Sequence, residues 1–166
     1  MENEIKKLRD EINQLQNKIQ NLQYKIHLLY VSKQAREIHP YVEFLLGFDI
    51  TEQKKEKIEF ALELLSNKYY RRNVFVLEDN KLTEEMENSN DIYITKSITE
   101  AYPQKLFENK LPSYTEVVDI FLEILDTKNK KIVFDLLWSV YKEGMFENLL
   151  MHVLITNPNG ESGPKG

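Results

Sequence analysis

Cysteine is absent from this 166-residue chain. That excludes a disulfide scaffold, a thiolate nucleophile and any cysteine-ligated zinc site, and it fits a reducing compartment. Glycine and proline are scarce, at five each, and most fall after Thr156 or at helix breaks. A chain so poor in turn formers is a bad candidate for a sandwich or barrel, which needs a turn every few residues. A surplus of positive charge is also missing. The formal net charge is -5, which works against non-specific phosphate-backbone binding and so against a nucleic-acid partner. No run reaches the ~18 apolar residues that a membrane span requires, and the polar start of the chain does not read as a signal peptide. A cytoplasmic protein without a membrane partner is expected.

What is present is helical. The hydrophobic fraction of 42% and charged fraction of 30% suit a globular domain with a wet surface. The strongest pattern lies in the first thirty residues. Ile5, Ile12, Ile19 and Ile26 recur every seven residues, and Leu8, Leu15, Leu22 and Leu29 each follow by three. This spacing draws a narrow apolar seam that another helix must cover, so residues 1–36 are predicted to form a coiled coil. Ile at a and Leu at d favour two strands. These eight residues are the expected homo-oligomer interface, with a dimer the simplest state. Flanking charges offer one attractive pair per strand in a parallel coil (Glu4 with Arg9) and two in an antiparallel one (Glu4 with Lys25, Glu11 with Lys18), a slight lean to the latter. Tyr24, Leu28, Val31, Ala35 and Ile38 start a second stripe, by which the end of this helix should pack on its own fold.

Residues 37–156 are predicted to be a small multihelical array, giving a mainly all-α fold. Pro40 breaks the first helix. Tyr41 to Leu46 form a short helix ending at Gly47, and Thr51 caps the next, with Ile58, Ala61, Leu62, Leu65 and Tyr69 on its inner face. Within an insertion at 73–110, Val74 to Leu77 and Ile92 to Thr95 read as strands. Two readings stand there: a short β-hairpin with a long acidic loop, or a helical continuation around that loop. Ser113 with Glu116 forms a capping box ahead of Val117, Val118, Phe121, Ile124 and Leu125. Asp126 or Thr127 caps a helix carrying Ile132, Val133, Leu136, Leu137, Val140 and Tyr141, closed by Gly144 in a left-handed cap. Phe146, Leu149, Leu150, Val153 and Leu154 mark a last helix. The tail at 157–166 is disordered by composition.

Three segments resemble one family. His39 to Leu46 followed by Ile50-Thr51, then Ser113 to Phe121, then Tyr141 to Leu150, together look like the YhaI-like family of Bacillus proteins of unknown function. The resemblance implies a small helical array whose first helix lies beside the core. It brings no activity and no catalytic residues. The longer N-terminal coil and the 73–110 insertion depart from the family pattern.

Little points to chemistry, and no enzyme activity or cofactor is expected. His27, His39 and His152 lie far apart without metal-ligand spacing. No phosphate loop or nucleophile elbow is visible. Glu84, Glu85, Glu87 and Asp91 sit in a solvated Asn-rich stretch unsuited to splitting carboxylate pKa values, and their spacing is not that of an EF-hand. Lys68-Tyr69-Tyr70-Arg71-Arg72 mixes cations with aromatics, as backbone-tracking surfaces do, although cations at a helix C-terminus need no ligand to explain them. Trp138, one turn from Tyr141, suits core packing or a partner anchor. The profile is that of a non-enzymatic oligomeric protein–protein interaction module, such as a small bacterial or phage regulator, inhibitor or adaptor with an unidentified protein partner. The alternative is a nucleic-acid-associated regulator using 68–72 together with Lys128 to Lys131.

Overall fold

The computed structural model describes residues 2–34, 39–78, 83, 86 and 89–156, with Glu2 and Gln34 described by backbone alone. The fold is mainly all-α, with seven α-helices among the described residues and one two-stranded sheet. The chain divides into two compact units, Met1–Lys55 and Glu56–Gly166. The sequence placed the division at 36/37; the first unit also takes in the short helix after Pro40.

In the first unit, α1 (Glu2–Gln34) is a single 33-residue helix, about 50 Å long at 1.5 Å per residue. Pro40 opens α2 (Pro40–Gly47) rather than merely ending α1, since proline fits the first helical turn. His39 holds the N-cap position without a side-chain cap bond. The helix ends at Gly47 as expected, and the left-handed residue that follows it is Asp49 (φ 55). Ile50 N–H donates to Leu45 and Asp49 N–H to Leu46, the paired bonds of a Schellman closure. Asp49 also accepts a bond from Lys25 of α1. Tyr24 and Leu28 are buried, as the second stripe predicts, and α2 packs on α1. Ala35, Ile38 and the acidic residues Glu84, Glu85 and Glu87 lie outside the described residues, as does the 157–166 tail.

The helix α3 (Glu52–Tyr69) starts at Thr51, whose Oγ1 accepts from Lys54 N–H at 3.3 Å. In the second unit its inner face is Ile58, Ala61, Leu62, Leu64, Leu65 and Lys68; Tyr69 is only half-buried. Strands β1 (Val74–Leu77) and β2 (Ile92–Thr95) form as expected but pair in parallel, Val74 opposite Ile92. This corrects the hairpin. Tight turns join antiparallel strands, whereas residues 78–91 exceed the dozen or so that a parallel crossover needs. On the outer edge of β1, the Asn109 side-chain amide takes the place of a third strand: it accepts from Val74 N–H at 2.7 Å and donates to Val74 C=O at 3.0 Å.

A short α4 (Lys96–Thr99) and a 3-10 turn (Gln104–Phe107) lead to α5 (Tyr114–Ile124), α6 (Lys130–Lys142) and α7 (Glu147–Ile155), which pack on one another. Ser113 caps α5 as predicted, accepting from Glu116 N–H. The cap of α6 is Asn129, accepting from Lys131 N–H at 3.0 Å, two or three residues beyond Thr127 or Asp126. Asp126 instead closes α5 in the left-handed region (φ 53), with Thr127 N–H bonded to Leu122 and Asp126 N–H to Glu123. Gly144 (φ 79) closes α6 as predicted. The core of this unit is Leu106, Val117, Phe121, Val133, Leu136, Leu137, Val140, Leu150 and Val153 around the α3 face, all fully covered.

Candidate functional site

Two features stand out from this scaffold. The first is the α1 seam. Ile5, Leu8, Ile12, Leu15, Ile19, Leu22, Ile26 and Leu29 are all between 46% and 65% exposed. At 100° per residue, the buried Tyr24 and Leu28 point about 160° away from the seam. The packing of α2 therefore consumes the opposite side of α1 and leaves all four heptads open. A contiguous apolar strip of this size is uncommon on a monomer surface. Among the flanking charges, Lys25 is already engaged by Asp49, which uses up one of the cations that an antiparallel partner would have met.

The second feature is the end of α3. The sequence joins Lys68, Tyr69, Tyr70, Arg71 and Arg72; the structure splits them into two sets. Tyr69 lies tilted against His152, with ring centroids 5.4 Å apart, and Tyr70 meets Tyr69 edge-on at 5.2 Å. The Tyr70 hydroxyl accepts a 2.8 Å bond from Asn148 of α7. The cations turn the other way. Lys68, Arg71 and Arg72 line a cleft of about 270 Å³ with Asn73, Asn109 and Lys110. Lys68 is 5% exposed and its Nζ donates to Leu106 C=O at 3.2 Å. Burial holds its pKa below the usual lysine value, partly offset by the charges of Glu116 and Glu108. Lys110 bridges Glu108 (2.7 Å) and Glu116 (2.8 Å), and those two bonds hold its pKa well above the ordinary lysine value.

Asn109 and Lys110 escaped the sequence reading. They lie just over forty residues from Lys68, in a segment without periodicity or motif, and the sheet-edge role of Asn109 and the Lys68–Leu106 bond bring them to α3. Trp138 sits in an aromatic ladder on α6, with ring centroids 6.4 Å from Phe134 and 5.6 Å from Tyr141, and Lys142 Nζ lies 5.5 Å from its ring centroid. Its indole N–H is buried without a hydrogen-bond partner among the described residues. That half-buried stack serves packing as much as display. His27 is exposed, while His39 and His152 are half-buried. Asp91 braces the start of β1, accepting from Asn73 N–H at 3.1 Å. Among the described residues no cluster of three or more histidines and carboxylates is arranged to hold a metal ion. No helix among them is long and apolar enough to cross a membrane.

No family model, curated protein or solved structure matches this chain.

Proposed function

We propose that this chain is a non-enzymatic, homo-oligomeric interaction protein whose copies join through the heptad seam of α1, in a dimer, and present the second unit to a protein partner in the cytoplasm. One observation carries the reading: the eight seam side chains stay exposed on the face turned away from α2. Fully burying an isoleucine or leucine is worth ~1.5–3 kcal/mol. Half of that over eight residues is on the order of 10 kcal/mol per chain, and two chains together exceed the ~4–15 kcal/mol that association costs. A second copy of α1 fits the seam because the repeat is self-complementary in spacing and no polar residue interrupts it. Membership of the YhaI-like family is part of this proposal, resting on the 39–51, 113–121 and 141–150 segments.

The alternative, a nucleic-acid-associated regulator, draws support only from the cationic half of 68–72. Tyr69 is held against His152, and Tyr70 is bonded through its hydroxyl to Asn148 but keeps an exposed ring, so one exposed aromatic stands near those cations where such surfaces stack successive bases.

Light scattering on the intact chain across a dilution series tests the proposal. A particle mass of two chains that falls toward one on dilution is expected. A single-chain mass at every concentration overturns it.

A further inference from the structure

We propose that the cleft at the C-terminal end of α3 is a binding site for a phosphate group, free or carried on a small ester, gripped by Lys68, Arg71 and Arg72. The cleft is built from the second unit alone, so the inference stands apart from the oligomer.

Charge is the first argument. Of the cations around the cleft, Lys110 is neutralised by Glu108 and Glu116. Lys68, Arg71 and Arg72 have no ion-pair partner among the described residues; Lys68 donates to a backbone carbonyl and Arg72 to the neutral amide of Asn67 at 3.2 Å. A lysine ammonium carries three donors, so a 95%-buried one with a single bond is a costly group to leave as it stands. An anion in the cleft supplies Lys68 with a direct ion-pair partner; burial lowers its pKa, and the charges of Glu116 and Glu108 offset that only in part.

Electrostatic context is the second. The carboxyl end of a helix repels anions through its open carbonyls. Here that end is closed: Arg72 N–H donates to Asn67 C=O and Arg71 N–H to Lys68 C=O, with Arg71 in the left-handed region (φ 61). The closure satisfies the Asn67 and Lys68 carbonyls, and both Arg71 and Arg72 line the cleft. Two arginines suit a phosphate because their planar forks match its oxygens.

Size and rigidity are the third. At about 270 Å³ the cleft falls just under the ~300 Å³ at which pockets for drug-sized ligands begin, so it suits a phosphoryl group rather than a whole nucleotide. Its far wall is fixed by the two Asn109–Val74 bonds and by Asp91 on Asn73.

The test is a titration of the intact chain with pyrophosphate and with inorganic phosphate, followed by amide NMR shifts at constant ionic strength set with chloride. Saturable shifts at 71–73 and 109–111 are expected. An Arg71→Gln/Arg72→Gln variant, altered only at exposed side chains, should bind about ten-fold more weakly or worse, as loss of charge-assisted bonds implies. Lys68→Met, checked for folding by circular dichroism, should weaken binding too. Shifts that never saturate, or equal affinity in the arginine variant, overturn the site. So does an oligonucleotide that binds where both phosphates are silent, with shifts reaching Tyr70 and Lys128 to Lys131; that result transfers the cations to nucleic acid.

Discussion

In α1, isoleucine and leucine recur at three- and four-residue steps from Ile5 to Leu29 and remain about half exposed; in α5 and α6, Val117, Phe121, Val133, Leu136 and Val140 follow similar steps and are wholly covered. The residue types are alike, so composition does not set the difference. Width does. The inner faces of α5 and α6 take a third apolar position per heptad, wide enough to meet several neighbours at once. The α1 seam has two per heptad, a strip that only one helix running alongside can cover. Local pattern thus separates faces buried within the chain from a face left exposed, which the proposed assembly would cover.

The sharpest way to break this comparison is to charge the seam. Ile12→Lys with Ile19→Lys places two ammonium groups at a positions and removes two of the eight apolar anchors. Light scattering should show complete loss of the oligomer, while amide spectra of the second unit stay in place; a persisting oligomer sinks the comparison. The converse change is Phe121→Ala, which should cost about 3–5 kcal/mol of stability in urea unfolding and leave the seam's association untouched as long as the second unit is folded. Removing the α5 cap by Ser113→Ala should cost about 1 kcal/mol. Asp126→Gly should stabilise by roughly 0.5–1 kcal/mol, because glycine takes the left-handed conformation without the Cβ penalty.

The smallest effect is a pH dependence. Burial lowers the Lys68 pKa in the folded state, so the unfolded chain binds that proton more tightly. Its contribution disfavours folding while the lysine is charged and is relieved as pH rises through the folded and then the unfolded pKa. Stability measured up to the ordinary lysine range should therefore gain an alkaline increment in the natural chain that is missing in Lys68→Met.

The seam was legible because a seven-residue repeat needs no tertiary information. The helices of the second unit were legible because caps and periodicity agree at Ser113 and Gly144. The direction of the β1–β2 pair was not: β-branched and aromatic residues mark strands, whereas their sense depends on the connection between them. The cap of α6 was misplaced because three residues with capping oxygens, Asp126, Thr127 and Asn129, stand close together, and the left-handed closure of α5 takes the first. The cleft was invisible for a different reason. Lys68 reads as a solvated helix-end cation until the fold folds it inward, and Asn109 carries no local signal that its amide will lie along a strand.

Trp138 is the single tryptophan in the chain, and it stands in the second unit between Phe134 and Tyr141 with the Lys142 ammonium near its ring. With excitation to the red of tyrosine absorption, its fluorescence is thus a natural reporter of one helix, α6, and the tyrosines of the first unit stay dark. Emission followed through an unfolding experiment reads the second unit without any label, and backbone ellipticity, to which the long α1 contributes heavily, reads both. Melting curves from the two signals that fail to overlay would time the loss of α1 and the loss of the second unit's core separately.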